Sequence, residues 1–347
     1  PPGSLILGGT TKTLSGNGFT SKELIVTGSY TTSISSGSLI INNNFDVLAG
    51  ASFDVGSTTA TVHGNLTNSG TLTLNGIATF SGLQAQTIQL NSPVTSGPSG
   101  VVNFNGTVAP IFNSTASPTL ATVNINNTAS INPSQPWTVA VLMNVAAGAT
   151  WNGGALDHNI NGSFTNNGTV TSDATITFGA PGPPAVTINL GNNFVTTGNV
   201  VFGGTAAITL VDNTPNFASV RITNTNAVGV TAATNWMVSQ DLFIGLGAEL
   251  KGGTGLTHRI SGEWTNNGTF TGGTSTVIFD SNSGLDELKG GGTNNFYNLT
   301  FDAGADMAVT TDIAISQHFT NDAAALDLLN SEVTFSGSTL SILGGAS

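Results

Sequence analysis

Large apolar residues alternate with Thr, Ser and Asn along nearly the whole chain, in runs of three to six positions. That is the period of a strand with one buried face. The clearest runs are three copies of one stretch: Gly64-Asn-Leu-Thr-Asn-Ser-Gly-Thr-Leu-Thr73, Gly162-Ser-Phe-Thr-Asn-Asn-Gly-Thr-Val-Thr171 and Gly262-Glu-Trp-Thr-Asn-Asn-Gly-Thr-Phe-Thr271. Each predicts a strand, a corner and a second strand. Leu66, Phe164 or Trp264 faces inward before the corner, and Leu72, Val170 or Phe270 after it. The Asn/Ser-Gly pair is expected to supply the positive φ of a tight turn.

The copies start 98 and 100 residues apart. Flanking segments keep the same spacing. Leu24-Ile-Val26 matches Val123-Asn-Ile125, Val220-Arg-Ile222 and Leu299-Thr-Phe301, and Gly50-Ala-Ser-Phe53 matches Gly148-Ala-Thr-Trp151 and Gly247-Ala-Glu-Leu250. Leu39 to Gly50 likewise matches Trp137 to Gly148 and Trp236 to Gly247. The predicted organisation is one array over 1–347, with a partial unit at 1–63, full units at 64–161 and 162–261, and a shortened unit at 262–347.

The shortening reveals a smaller period. Gly64 to Val123 is 59 residues and Gly162 to Val220 is 58, but Gly262 to Leu299 is only 37. A compact domain does not lose some 21 residues from its middle and keep both flanks. A solenoid can, because each coil touches only its neighbours. The fold class expected is all-β, a single-stranded parallel β-helix (β-solenoid) with coils of about 20 residues and about five coils per long unit. At about 4.8 Å per coil, some 17 coils would span about 80 Å. Corners are predicted at Asn42-Asn-Asn44, Asn68-Ser-Gly70, Asn166-Asn-Gly168, Asn266-Asn-Gly268 and Gly290-Gly-Gly292, and protruding loops at 92–100 and 179–184.

Composition agrees with β-structure and narrows the function. Only 7% of the 347 residues are charged, Gly numbers 45, and hydrophobic content is 38%, too apolar for a disordered chain. Eighteen acidic and six basic residues give a net charge of −12. No basic stripe for nucleic acid exists, and the same balance argues against an anionic membrane surface. No apolar run reaches the length of a membrane span, so membrane insertion is not expected. Cysteine is absent. The chain opens at Pro1-Pro2-Gly3, read here as a processed or truncated start. Low Lys with abundant Thr, Asn and Gly suits an extracellular, cell-surface setting.

Candidate chemistry is sparse. Three of the four histidines, His63, His158 and His258, are read as one repeated structural position. Copies five coils apart stand about 24 Å from each other and cannot share a metal. Lys251 and Arg259, with Glu249 and Glu263, form the one mixed-charge cluster, and surface ion pairing is its expected role. Nine acidic residues gather between Asp280 and Glu332: Asp280, Asp286, Glu287, Asp302, Asp306, Asp312, Asp322, Asp327 and Glu332. The expected role is a solvated face, with a Ca²⁺ site built of oxygen ligands as the lesser reading. No catalytic, cofactor-binding or metal residue is assigned, and no enzyme is expected. Asn-x-Ser/Thr sequons stand at Asn65, Asn105, Asn113, Asn126, Asn161, Asn167, Asn267 and Asn298. Thr-x-Thr pairs at 71/73, 169/171 and 269/271 suggest an ice-binding array only if they recur on every coil, and the repeat places them once in about five.

The motif Gly-x-aromatic-Thr-Asn-Asn-Gly-Thr, with the strands Thr276 to Phe279 and Asn295 to Thr300, resembles repeats of large secreted bacterial surface proteins of the filamentous-adhesin and autotransporter-passenger kind. The resemblance implies a parallel β-solenoid exposed on a cell surface as stalk, fibre or adhesin, and carries no site residues. A carbohydrate-binding or carbohydrate-cleaving β-helix is the alternative, and an ice-binding solenoid the second. Strands are expected at both ends, Ser4 to Leu7 and Thr339 to Leu343, without polar caps. That pattern predicts end-to-end self-association into a filament, or continuation in a longer chain, with surface glycans as further partners.

Overall fold

The computed structural model describes residues 3–10, 12–34, 38–211, 215–280, 284–337 and 341–344. The described residues form strands and no helix, and each resolved pairing is parallel. The fold is a β-solenoid of about 15 turns with coils of around 21 residues. Contacts group the chain into two compact units, Pro1–Asp173 and Ala174–Ser347.

In the first unit each coil has three walls. Phe45–Val47, Ser52–Asp54 and Thr59–Val62 form one turn, and Leu66–Asn68, Thr71–Thr73 and Ile77–Phe80 form the next, each strand paired to its counterpart below. Two longer strands, Thr119–Ile125 and Thr138–Val145, run from the second wall into the third, with a register break between Leu120 and Thr122 at the bend. In the second unit Thr293–Phe301 and Ile313–Asn321 bend in the same way.

Alternation sets which residues go in. Ile41, Val62, Phe80, Phe104, Ile125 and Val145 form one inward column on the third wall, all buried. Inward aromatics stack within this column and across to a tryptophan of the neighbouring wall. Phe80 lies 5.5 Å from Phe104, and Phe104 lies 5.7 Å from Trp137, with interplanar angles of 19° and 15°. Phe178, Phe202 and Trp236 repeat the arrangement in the second unit at 6.0 Å. Such pairs add about 0.5–1.5 kcal/mol each beyond the area they bury. Trp264 is buried as its alternation predicts, and its Nε1–H donates to Asn294 Oδ1 at 3.1 Å.

The missing coil is seen in the ladder. In the first unit Val62 reaches Ile125 in three steps, through Phe80 and Phe104. The matching path in the second unit, Ile260 to Phe301, takes two, through Phe279.

The long unit corrects to about 4⅔ coils. From Ser52–Asp54 the second wall climbs through Thr71–Thr73, Val94–Thr95, Thr119 and Thr138, four steps, before two more walls bring the chain to Thr150–Asn152. Phe53 therefore lies on the second wall and its equivalent Trp151 on the first. Leu66 lies on the first and its equivalent Phe164 on the third. Within the first unit, then, the copied segment is shifted by one wall.

The corner glycines also correct the expectation. Gly70, Gly168 and Gly268 do not have positive φ. A Cβ at Gly168 would stand 2.3 and 2.5 Å from the carbonyl oxygens of Ala149 and Ala146, and Gly70 and Gly268 meet the equivalent pairs at 2.3–2.4 Å. They are glycine because the coil below comes too close for any side chain. The positive φ belongs to Gly50, Gly148 and Gly247, at 78°, 78° and 75°. The Asn before each corner points inward, and at Asn166 and Asn266 it ties the turn, whereas Asn68 donates to the Ser92 carbonyl instead. Asn166 Oδ1 accepts from Gly168 N–H at 3.0 Å, and Asn266 Oδ1 from Gly268 N–H at 2.9 Å. This is the local bonding that favours Asn at turns.

Of the expected loops, 179–184 is irregular, whereas 92–100 contains a second-wall strand, Val94–Thr95, paired with Leu72 and Thr73. Ser4–Leu7 is a strand. At the far end Ser341–Gly344 is a strand, and Thr339 and Leu340 lie outside the described residues.

Candidate functional surfaces and buried polar sites

The mixed-charge cluster of the sequence comes apart on the walls of the second unit. Lys251 pairs with Glu249 at 3.5 Å on one wall. Arg259, on the next, donates to Asp280 at 2.7 Å and Asp302 at 3.2 Å. Glu263 opens a third, where Lys289 donates to it at 2.9 Å and to Glu287 at 2.8 Å. Successive strands of the sequence occupy different walls, so the four residues do not converge. The carboxylate bonds raise Arg259, chiefly through Asp280, and Lys289, chiefly through Glu287, above their ordinary ranges. These pairs are partly exposed and screened by solvent, and contribute little to stability.

The acidic residues of the last third serve the same walls. Asp280 and Asp302 hold Arg259 across three coils, while Asp312 Oδ1 accepts from Glu332 N–H at 2.8 Å. Among the described residues no three His, Asp or Glu side chains are grouped so that they could hold a metal ion.

The three histidines divide into two roles, not one. His63 is exposed, and its Nδ1 bonds Ser81 Oγ at 3.1 Å. Ala60, not His63, occupies the repeat position of His158 and His258, opposite Leu39 as His258 is opposite Trp236. Both true equivalents are buried. Each accepts a backbone N–H at Nδ1, from Trp137 at 3.0 Å and from Trp236 at 3.3 Å. Each faces a carbonyl at Nε2, Gly153 at 3.1 Å and Gly252 at 2.7 Å. Burial pushes both rings below the usual histidine range.

Between these charged residues the outer walls are hydroxyl- or amide-rich. Thr73, Thr95, Thr119 and Thr138 stand in register on four successive coils of the first unit, and Thr187, Thr209 and Thr231 on three of the second. Counting only the motif pairs misses these columns. Spacings of 19 to 24 residues between single threonines were the available signal. The motif pairs themselves do not align, since Thr71 and Thr73 lie on the second wall and Thr169 and Thr171 on the first. A second column carries amides: Asn124 Nδ2 donates to Asn103 Oδ1 at 2.8 Å, and Asn126 to Asn105 at 2.9 Å. Of the sequons, Asn65, Asn105, Asn113, Asn126 and Asn167 are exposed, while Asn161, Asn267 and Asn298 are half-buried.

The fold defines the class, a parallel β-solenoid that buries two hydrogen-bonded histidines. Comparison with protein-family models, characterised proteins and solved structures finds no match.

Proposed function

We propose that the chain is a structural extracellular protein, a subunit or stalk segment of a cell-surface fibre or filament with an adhesive role. The observation that carries this reading is the outer surface. Its columns of Thr and Asn repeat at coil spacing, Lys251, Arg259 and Lys289 are each held in ion pairs along the walls, and the one mixed-charge cluster of the sequence is dispersed over three walls. Such a surface favours many weak, repeated polar contacts over a single reaction centre. Coil-on-coil continuation, by neighbouring copies or by further sequence, extends the same parallel ladder. Antibodies against the outer walls should label intact cells of the source, and immuno-electron microscopy should place the label along surface fibres. Label that enters only after permeabilisation would sink the proposal.

Carbohydrate binding is the second reading, favoured by the paired amide columns Asn103–Asn124 and Asn105–Asn126. Neutral polysaccharide co-sedimentation tests it. Retention that survives 1 M salt and falls on Asn103→Ala with Asn124→Ala supports it, since these contacts would be uncharged. The Thr columns give ice binding its opening, and thermal hysteresis with loss on Thr95→Lys is its test.

A further inference from the structure

In each unit one buried imidazole does the work of a backbone carbonyl. The N–H of Trp137 starts the strand Thr138–Val145, and its partner is His158 Nδ1. The N–H of Trp236 starts Trp236–Val238, and its partner is His258 Nδ1. A ring nitrogen that accepts a hydrogen bond carries no proton. Each neutral ring must therefore hold its hydrogen on Nε2, where Gly153 or Gly252 accepts it. Protonation would set an Nδ1–H against the tryptophan N–H, two donors face to face, in a site closed to water. The charged ring has no place in the closed arrangement.

We propose that His158 and His258 are acid-release latches: in acid, protonation detaches them from Trp137 and Trp236 and locally opens the walls that these residues begin. The surroundings offer little to hold the charge in place. The strands packed on His158, Thr138–Val145, Thr150–Asn152 and Thr169–Ser172, carry no charged residue, and the carboxylates near it are exposed Asp157 and, after the last strand, Asp173. Asp157 favours the charged ring, but burial outweighs it. Around His258, Glu249 and Lys251 pair with each other and Arg259 with Asp280 and Asp302, while Trp236–Val238 and Thr276–Phe279 carry no charge. The sign follows from linkage. A ring held neutral in the closed state costs nothing above the ordinary histidine value of about 6.5, and the open state gains as pH falls below it. With one proton per latch the open fraction rises by at most about tenfold per pH unit, from the ordinary histidine value down to the lowered value of the closed ring, and levels off below that.

The first repeat supplies an internal control, because Leu39 opposite Ala60 holds the same position without a histidine. The experiment is amide hydrogen exchange on the full chain between pH 7.5 and 5, corrected for intrinsic rates, with ¹⁵N imidazole spectra at pH 7.5. Expected are Nε2–H tautomers, and protection at Trp137 and Trp236 that falls as pH drops below the ordinary histidine value, by at most about tenfold per unit, while Leu39 holds steady. His158→Gln and His258→Gln, which keep an acceptor but do not titrate, should each abolish the fall at their own tryptophan. An Nδ1–H tautomer, unchanged protection, or an equal fall at Leu39 overturns the proposal. Should the variants not fold, the comparison with Leu39 within the unaltered chain decides it alone.

Discussion

The first long repeat climbs from Val62 to Ile125 in three coils, and the third climbs from Ile260 to Phe301 in two. The shorter path keeps its inward aromatics, Phe279 stacked on Phe301 at 5.5 Å, as Phe80 is stacked on Phe104. It also keeps the corner at Gly268 and the inward Asn266. A whole coil is therefore a removable part. What each coil needs is a neighbour in register, not a particular neighbour, and stability is close to a sum of coil-to-coil interfaces.

The sharpest way to break this comparison is to cut the first repeat in two ways. Deleting residues 81–104 joins Phe80 to Asn105 at the point where Phe80 and Phe104 share a register, and repeats what the third unit already does. Deleting 81–92 removes a first-wall strand, Thr87–Leu90, and leaves that turn two-walled. The whole-coil deletion should fold, with all-β circular dichroism and a cooperative melt. The half-coil deletion should not. Equal behaviour of the two would show that the coil is not the unit.

Next in size is the contrast between the two kinds of glycine. Gly168→Ala forces a Cβ onto two backbone oxygens of the coil below, and should cost upward of about 3 kcal/mol in denaturant melts. Gly148→Ala meets open space and only the strain of a left-handed backbone, about 1–2 kcal/mol. A reversed order would mean that the coils can slide apart at these corners. Trp264→Ala should cost about 3–5 kcal/mol for a fully buried ring, and it also strands Asn294 Oδ1. A negligible change would place the ring outside. The smallest effect is expected from Arg259→Ala. It should cost less than about 1 kcal/mol, falling further at high salt, because the partly exposed pairs to Asp280 and Asp302 are screened.

The sequence carried the inward faces, the lost coil and most corners, because strand alternation and residue counts are local properties. Trp264 and Phe164 needed nothing more than their Thr neighbours to be placed. The assignments that changed depend on which wall a strand occupies. Lys251, Arg259 and Glu263 are close along the chain, yet each strand turns a corner before the next begins. His63 sits beside the motif glycine, and only the pairing of Leu39 with Ala60 reveals that it stands at a different position from His158. Glycine corners carry one letter for two causes, a left-handed backbone at Gly148 and a close carbonyl at Gly168, and the letter alone does not separate them.

The one-wall shift of the copied segment has a consequence for how such a chain can lengthen. A copied segment of 98 to 100 residues does not end where a coil ends, so its strands arrive on walls different from those of the parent copy. A sequence that folds after such copying must be indifferent to which side of the triangle it builds, and Leu66 and Phe164 show that it is. Duplication and unequal exchange between copies are then freed from coil boundaries, and an inherited surface patch can reappear on a different wall when it is copied.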